Sequence, residues 1–272
     1  MTVQTWLVRA ADQLDRHGIE SARLEAQLLA ALACSQTREW VLAHPEAEVN
    51  LAPADQLLEQ RCRRVPLPYL RGYQEFYGRR FEVGPDVLIP RPESETLIDL
   101  ILAAHPEDHP LQVVDLGTGS GCLGVTLALE RPRWSVTLAD VSLAALRVAH
   151  RNASALGATC NIVESDWLSA FAGRRFDGIL SNPPYIAAGE QVDPETSFEP
   201  ERALYAADRG LSNYQILADQ ARDFLKADGQ AWLEIGHEQG PAVEAIFREA
   251  GWLHVAIHPD LGGRDRVIEA RP

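Results

Sequence analysis

From residue 111 onward, short apolar segments alternate with segments of helical periodicity, and this alternation constrains the fold more than any other feature of the sequence. The apolar segments are predicted strands, in the order "LQVVDLG", "SVTLADV", "CNIVES", "FDGILSN", "QAWLEIG", "HVAIHP" and "DRVIEA". Buried strands that alternate with helices form a doubly wound, mostly parallel sheet. The last two strands are joined only by "DLGGR", which is too short for a helical crossover. The sequence therefore predicts a seven-stranded, Rossmann-like α/β sheet whose last two strands form an antiparallel hairpin.

Helices are predicted between these strands near residues 120–130, 142–156, 212–227 and 240–250. Ser142 and Ser212 are the predicted N-caps of the second and third of these helices, because a serine side chain can accept a hydrogen bond from a free N–H of the first turn.

The first 64 residues predict a set of short amphipathic helices. The first helix ends at Gly18 and places its apolar residues on one face: Trp6, Leu7, Ala10, Ala11 and Leu14. Ser35 is the predicted N-cap of the third helix. Helical periodicity ends at "PLPYLRG", and "YQEFYGRRFEVGPDVLIP" alternates and turns around Gly78 like a hairpin. The predicted organisation is a small all-helical domain over residues 1–72, a linking β-hairpin over 73–90 and the α/β domain over 91–272.

Charge and cysteine usage narrow the class of partner. The formal net charge is −14, of which −1 falls on residues 1–72 and −13 on residues 73–272. An acidic surface repels phosphate backbones, so no stable nucleic-acid binding is expected, and a protein substrate or a small cationic ligand fits better. No apolar run is long enough for a membrane span, and no basic stretch leads into an apolar core as in a signal peptide. Four widely spaced cysteines argue against a metal site and predict free thiols in the cytoplasm.

A glycine-rich loop, "VVDLGTGSGCLG", lies where the first strand of the sheet passes into its helix. Gly117, Gly119 and Gly121 allow the backbone to pass tightly beneath a ligand, where a Cβ would collide. The loop also contains a G-x-G-x-x-G match ending at Gly124, and an acid ends the next strand, so an NAD-type dinucleotide site is an open alternative.

Acidic residues at three successive strand ends favour a cationic nucleoside over a dinucleotide. Asp115 would lie near the helix N-terminus where a pyrophosphate would dock, which is unfavourable for a dianion and favourable for an ammonium group. Asp140 can accept the two ribose hydroxyls of such a ligand. Asp166 and Trp167 can hold an adenine by a hydrogen bond and a ring contact. S-adenosylmethionine carries both an ammonium and a sulfonium and has no phosphate, so it is the predicted cofactor.

The fourth strand ends in Asn182-Pro183-Pro184-Tyr185. Two prolines at a strand end can simply form a turn. With a methyl donor in the crevice, the same turn presents the side-chain carbonyl of Asn182 and the backbone carbonyl of Pro183 to a planar nitrogen. Both N–H groups of that nitrogen would then be bound, and its lone pair would point at the methyl group. Tyr185 can cover one face of the planar group.

These motifs resemble those of a known enzyme family. "DLGTGSG" followed by "NPPY" resembles the S-adenosylmethionine-dependent methyltransferases that act on planar nitrogens, and the chain is more closely similar to the bacterial peptide chain release factor glutamine methyltransferases. The similarity extends to "PLPYLRGYQEFYGRRFEVGPDVLIPRPESE", "SDWLSA", "FEPERALYAADRGL" and "DLGGRDRVI".

The resemblance implies a methyltransferase sheet and a specific reaction, the methylation of the side-chain amide nitrogen of glutamine in the Gly-Gly-Gln loop of class I release factors. It also implies that the helical domain grips the release factor. A monomer is expected. By position, the implied cofactor contacts are Gly117, Thr118, Gly119, Ser120, Gly121, Asp140, Trp167 and Asn182. Asp115 and Asp166 are further predicted cofactor contacts, because of their positions at the strand ends. The implied substrate contacts are Asn182, Pro183, Pro184 and Tyr185, of which Asn182, Pro183 and Tyr185 are the predicted catalytic residues.

Three other functions stay open at this point. They are methylation of an exocyclic amine of DNA or ribosomal RNA, an NAD-dependent oxidoreduction, and a binding module without catalysis. Residues 187–211 form a long acidic segment, for which a mobile lid over the substrate is one hypothesis and a surface loop the other.

Overall fold

The computed structural model describes residues 1–105 and 109–272, and this part of the chain divides into two compact units. One unit comprises Met1–Gly72 together with Asp193–Phe198, and the other comprises Tyr73–Val192 and Glu199–Pro272. The short segment 193–198 therefore packs with the helices of the first unit, although it follows the strands of the second in sequence.

The first unit is helical. Its helices are α1 (Val3–Arg16), α2 (Ala22–Cys34), α3 (Arg38–Ala43), α4 (Ala52–Cys62) and α5 (Leu67–Arg71). On α1, Trp6, Ala10 and Leu14 are fully buried, because residues four apart lie on the same face of a helix. Leu7 and Ala11 lie at the half-buried edge of this face.

The N-cap predicted for α3 is wrong. Ser35 ends α2 in the left-handed conformation, with φ +52°. Thr37 is the cap, and its side chain accepts a hydrogen bond from the Trp40 N–H at 3.2 Å. Both residue types can cap a helix, and the choice is decided by the conformation that closes the preceding helix.

The second unit begins with an antiparallel hairpin, β1 (Tyr73–Phe76) and β2 (Arg79–Glu82), which turns through Tyr77 and Gly78. Both turn residues have positive φ, +50° and +69°, as the tight turn that suits the twist of a hairpin requires.

The remaining elements of the second unit form a layered α/β structure. They are α6 (Glu95–Ala104), β3 (Gln112–Leu116), α7 (Cys122–Glu130), β4 (Ser135–Asp140), α8 (Leu143–Leu156), β5 (Cys160–Glu164), β6 (Phe176–Ser181), β7 (Ile186–Ala187), β8 (Tyr205–Ala206), α9 (Ala207–Gly210), α10 (Ser212–Gln220), β9 (Leu225–Glu234), α11 (Gly240–Glu249), β10 (His254–Pro259) and β11 (Asp265–Arg271). Single 3-10 turns occur at Pro92–Ser94, Ser169–Phe171, Pro194–Phe198, Glu201–Ala203 and Ala221–Phe224.

Within the described residues, the main sheet has seven strands in the order β10-β11-β9-β6-β3-β4-β5. The pairs β6–β9, β3–β6, β3–β4 and β4–β5 are parallel, and β11 is antiparallel to both of its neighbours. The predicted fold class, including the antiparallel hairpin at the end of the chain, is confirmed. The chain order reverses between β3 and β6, so the loops that follow these two strands diverge and open a crevice at the carboxyl edge of the sheet.

Three details differ from the sequence prediction. Helix α6 was not predicted, although it buries Leu97, Ile98 and Ile101. The helix predicted over 212–227 ends at Gln220, and Ser212 lies inside its first turn rather than at the cap. Strand β9 starts at Leu225, because Gly229 lets it approach β6: a Cβ at this position would lie 3.0 Å from the Phe176 carbonyl oxygen.

Candidate active site

A crevice of about 350 Å³ lies at the carboxyl ends of β3, β4, β5 and β6. This volume is within the range of small-molecule sites. Of the residues predicted from the sequence, those that line the crevice are Gly117, Gly119, Asp140, Asp166, Trp167, Asn182 and Pro184. Those that do not line it are Asp115, Thr118, Ser120, Gly121, Pro183 and Tyr185.

The glycine loop between β3 and α7 is held tightly against the sheet. Gly121 is the N-cap of α7, with φ +82°, and a Cβ there would lie 3.1 Å from the Ala149 Cβ. A Cβ at Gly124 would lie 2.3 Å from a methyl carbon of Leu138. Glycine is therefore required at both positions for α7 to pack on the sheet, whether or not a ligand is bound.

Asp115 lies beneath this loop and is fully buried. Its Oδ2 accepts hydrogen bonds from the Thr118 hydroxyl at 2.6 Å and the Gly124 N–H at 3.0 Å. Burial raises the pKa of this carboxyl to about 6, and the two hydrogen bonds oppose the rise. No donor among the described residues reaches Oδ1. Asp115 thus fixes the loop from below, and its contact with a cofactor stays a prediction.

Asp140 ends β4 and faces the crevice. Its Oδ2 accepts the Gly119 N–H at 3.0 Å, and its Oδ1 accepts the Ser142 N–H at 2.8 Å. Burial raises its pKa, and the two backbone N–H groups together with the charge of Arg202 oppose the rise. Each carboxylate oxygen has a second lone pair, so the group can still accept one further hydrogen bond on each oxygen.

Asp166 and Trp167 follow β5, which pairs with β4 in parallel. Trp167 has φ +49°, an unusual value for a residue with a side chain. Its carbonyl accepts the Ser165 hydroxyl at 2.7 Å, which holds the turn. A Cβ at Gly117 would lie 3.9 Å from the Trp167 ring, so the indole lies directly beside the glycine loop.

The carbonyl groups of the turn after β6 differ in whether they accept a hydrogen bond. The Pro184 carbonyl accepts the Asn213 side-chain N–H at 2.8 Å, and the Tyr185 carbonyl accepts the Gln239 side-chain N–H at 3.0 Å. In the described chain, no donor reaches the Pro183 carbonyl or the Asn182 Oδ1. These two oxygens are the acceptors that the sequence prediction assigned to a planar nitrogen.

The Tyr185 ring does not line the crevice but packs against the core of the sheet. Burial raises the pKa of its phenol to about 12, so the phenol is neutral at physiological pH. Its role in covering a planar group stays a prediction.

Several crevice residues were missed by the sequence prediction. Strands β7 and β8 pair in parallel, and the chain around them supplies Pro200, Arg202, Ala203, Tyr205, Ala206 and Ala207 to the wall. The segment "FEPERALYAADRGL" is similar to the family, but its residue pattern does not predict where it lies in the fold. Arg91 pairs with Glu199 at 2.5 Å, and Glu199 also accepts the Ile89 N–H at 2.9 Å. His237 is exposed and lies outside the crevice.

No group of side chains in the described part of the chain has the composition of a metal site. Among residues 1–105 and 109–272, no helix combines the length and apolar character needed to cross a membrane.

Comparison with known proteins gives two family matches. The model described as the PrmC N-terminal domain matches residues 5–72, and the methyltransferase small domain matches residues 94–199.

Full-length relatives give the same result. The release factor glutamine methyltransferase of Koribacter versatilis is 40% identical over 278 residues, which cover 100% of this chain and 99% of that protein. The bifunctional methyltransferase of Rickettsia bellii is 36% identical over 98% of this chain, but the chain spans only 54% of that longer relative. The crystal structure of a methyltransferase from Pyrococcus furiosus matches with a TM-score of 0.55 at 18% identity, covering 71% of this chain and 89% of that one, which indicates a shared fold.

Proposed function

The chain belongs to the family of release factor glutamine methyltransferases, and from this membership we propose that it methylates the side-chain amide nitrogen of the glutamine in the Gly-Gly-Gln loop of class I release factors. S-adenosylmethionine is the methyl donor. The observation that carries the proposal is the turn after β6, in which no donor of the described residues reaches the Asn182 Oδ1 or the Pro183 carbonyl, while the next two carbonyls are occupied.

The residues of the crevice fit the methyl donor. The remaining lone pairs of Asp140 suit two ribose hydroxyls, and the Trp167 ring offers an apolar face to an adenine. Asp115 Oδ1, which no donor of the described residues reaches, favours a positive charge nearby, as an ammonium group provides. When bound, S-adenosylmethionine supplies a methyl group activated by its sulfonium.

The chain's own task is to prepare the substrate nitrogen. The lone pair of a carboxamide nitrogen is delocalised into its carbonyl, so the nitrogen is a poor nucleophile. Accepting both N–H groups at Asn182 Oδ1 and the Pro183 carbonyl holds the nitrogen in place and favours a pyramidal geometry with the lone pair directed at the methyl group. The N-protonated product amide is strongly acidic and releases its proton to water, so no general base is required.

The substrate is a release factor, and we assign its docking to the helical unit. In this assignment residues 1–72 bind the partner, residues 73–90 link the domains and residues 91–272 are the methyltransferase domain. The net charge of −13 on residues 73–272 supports a protein substrate over a nucleic acid. The enzyme acts as a monomer, without stable nucleic-acid binding, in the cytoplasm where translation takes place.

The direct test uses S-adenosylmethionine labelled in its methyl group, the purified chain, and a class I release factor in two forms. The forms are the natural factor and a variant with alanine in place of the loop glutamine. Label is expected on the natural factor only. Label on the alanine variant, or on neither protein, would refute the assignment of the target atom.

A further inference from the structure

A chain of two hydrogen bonds, the first part-buried and the second buried, connects Asn182 to Glu234. The Asn182 side-chain N–H donates to the Ser94 hydroxyl oxygen at 3.3 Å, and the Ser94 hydroxyl donates to Glu234 Oε2 at 2.5 Å. Ser94 is 2% exposed and Glu234 is 1% exposed. We call these two residues, Ser94 and Glu234, the relay.

The fold brings the relay together from separate elements. Glu234 is the last residue of β9, which runs parallel to β6 with Leu233 opposite Ser181, so Glu234 is adjacent to Asn182 at the sheet edge. Ser94 ends the 3-10 turn that follows Pro90-Arg91 and leads into α6.

Stability does not account for Glu234. A buried carboxylate is costly unless it is paired and fully hydrogen-bonded. Glu234 Oε1 receives no hydrogen bond from the described residues, and the only bond to Oε2 comes from Ser94. An apolar side chain would fill this position at lower cost, which indicates that the carboxylate serves the site.

The direction of each hydrogen bond follows from the carboxylate. An ionised carboxylate can only accept, so the Ser94 proton must point to Glu234. The lone pairs of Ser94 are then the groups that face Asn182, and they can bind only its NH₂ group. The carbonyl oxygen of Asn182 is thereby held on the opposite side of the amide, available to the substrate. If Ser94 were free to donate in the other direction, the amide could turn over and present its NH₂ group to the substrate nitrogen, donor against donor.

We propose that Ser94 and Glu234 are positioning residues, which fix the orientation of the Asn182 amide so that its oxygen accepts an N–H of the substrate. This inference rests on the proposed function of Asn182. The inference adds to that function the two groups that orient the Asn182 amide as an acceptor.

The charge environment of Glu234 supports the geometry. Burial raises the pKa of its carboxyl to about 7, and the Ser94 hydrogen bond opposes the rise. Other groups that act on this region from the packed elements are Arg266 and Arg91, which lower this pKa, Glu93, which raises it, and Cys122, Tyr185 and Tyr214, whose own pKa values the Glu234 charge raises. Protonated Glu234 can donate to Ser94, which frees the serine proton for the Asn182 carbonyl. The Asn182 carbonyl oxygen is therefore held toward the substrate above about pH 7, and this orientation is lost below it.

The experiment compares kcat, KM for the release factor and the Kd of S-adenosylmethionine for the natural chain, Ser94→Ala, Ser94→Thr and Glu234→Gln. Thr126→Val is the matched control, because Thr126 is a fully buried hydroxyl outside the crevice. Ser94→Ala is expected to lower kcat about 100-fold with little change in the Kd of the methyl donor. Ser94→Thr should restore most of the rate, and Glu234→Gln should remove the acidic limb of the pH–rate profile near pH 7. Full activity of Ser94→Ala beside an inactive Asn182→Ala would overturn the relay alone.

A second readout does not depend on turnover. The side-chain amide resonances of Asn182, identified by their loss in Asn182→Ala, should shift with a midpoint near pH 7 in the natural chain and not in Glu234→Gln. An unchanged titration in Glu234→Gln would contradict the relay. A normal titration in a chain that methylates no release factor would leave the relay in place and refute the proposed function.

Discussion

Replacing Gly210 by alanine tests whether the geometry of the turn after β6 controls catalysis. Gly210 lies at the end of α9, with φ +85°, and a Cβ there would lie 2.1 Å from the Tyr185 carbonyl oxygen and 2.7 Å from the Gln239 side-chain nitrogen. The first neighbour is backbone and cannot swing away. Alanine would therefore push against the turn that carries Asn182 and Pro183.

The size of the effect follows from these distances. Ordinary contact begins at 3.4 Å, so the Tyr185 carbonyl and Gly210 must separate by roughly 1.3 Å. A misplacement of about 1 Å at a reacting group lowers the rate about 100-fold. Left-handed strain of about 1 kcal/mol, the lost Gln239 hydrogen bond of about 1 kcal/mol and overpacking of about 1 kcal/mol together predict a destabilisation of about 3 kcal/mol.

Gly189→Ala is the matched control. Gly189 has nearly the same backbone conformation, φ +84°, in the same region of the chain, but a Cβ there would meet nothing within 4 Å. It should carry only the conformational cost of about 1 kcal/mol. Initial rates of methyl transfer would be measured well below both unfolding temperatures, and urea denaturation would give the free energies of unfolding. Equal rates for Gly210→Ala and Gly189→Ala would refute the claim that the turn must keep this position.

Three further predictions address the site, its electrostatics and the helical unit. Asn182→Ala should lower kcat by about 100- to 1,000-fold while the Kd of S-adenosylmethionine, measured by calorimetry, changes little; a fully active variant would remove the acceptor mechanism. Arg61→Met should lower the free energy of unfolding by about 3 kcal/mol, because Arg61 is buried and pairs with Glu25 and Glu195; Glu25 would lose this partner, while Glu195 would keep its longer contact with Arg64 at 3.4 Å. Its control is Arg63→Met, an exposed pair with Glu59 that should cost about 1 kcal/mol or less in the same urea titration. Glu234 has a folded pKa raised from 4.5 to about 7, so the folded state binds the extra proton and stability should fall as pH rises through this window, by about 3 kcal/mol in total. Glu234→Gln should make the free energy of unfolding less dependent on pH. Urea titrations of both proteins at pH 5 and pH 8 measure this, and an equal change in the free energy of unfolding between the two pH values would contradict the prediction.

The sequence allowed prediction of those site residues that lie at the end of a strand or within a few residues after it. Parallel strands end at one edge, so Asp140, Trp167 and Asn182 could be placed together without knowledge of the packing. The relay could not be predicted in this way. Ser94 lies 88 residues from Asn182 and 140 from Glu234, and its own helix, α6, was not predicted. A serine in a Pro-rich turn and a glutamate at a strand end have no local pattern that links them to an asparagine.

For Asp115, the position in the strand could be predicted from the sequence, but the orientation of the side chain could not. Its position near the end of β3 predicts a ligand contact, which stays a prediction, but it does not predict that the side chain accepts hydrogen bonds from Thr118 and Gly124 beneath the loop. Sequence position fixes which strand end a residue occupies. It does not decide whether the side chain faces the crevice or the core, because this depends on the alternation of the strand and on the close packing of α7 at Gly124.

The two prolines of the turn have a role that the hydrogen bonds make definite. Proline has no backbone N–H, so neither Pro183 nor Pro184 can place a donor beside the substrate's NH₂ group. The carbonyls of Pro184 and Tyr185 accept hydrogen bonds from Asn213 and Gln239, which fix the backbone, and no donor in the described part of the chain reaches the Pro183 carbonyl. The relay imposes the same polarity on the side chain of Asn182, because it binds the NH₂ end of the amide and leaves the oxygen free. The backbone of the turn and the side chain of Asn182 thus each offer only hydrogen-bond acceptors to the substrate. Such a surface suits a carboxamide NH₂ and disfavours a hydroxyl, which has one hydrogen for the two acceptors and would leave one of them unpaired at a cost of about 1–3 kcal/mol.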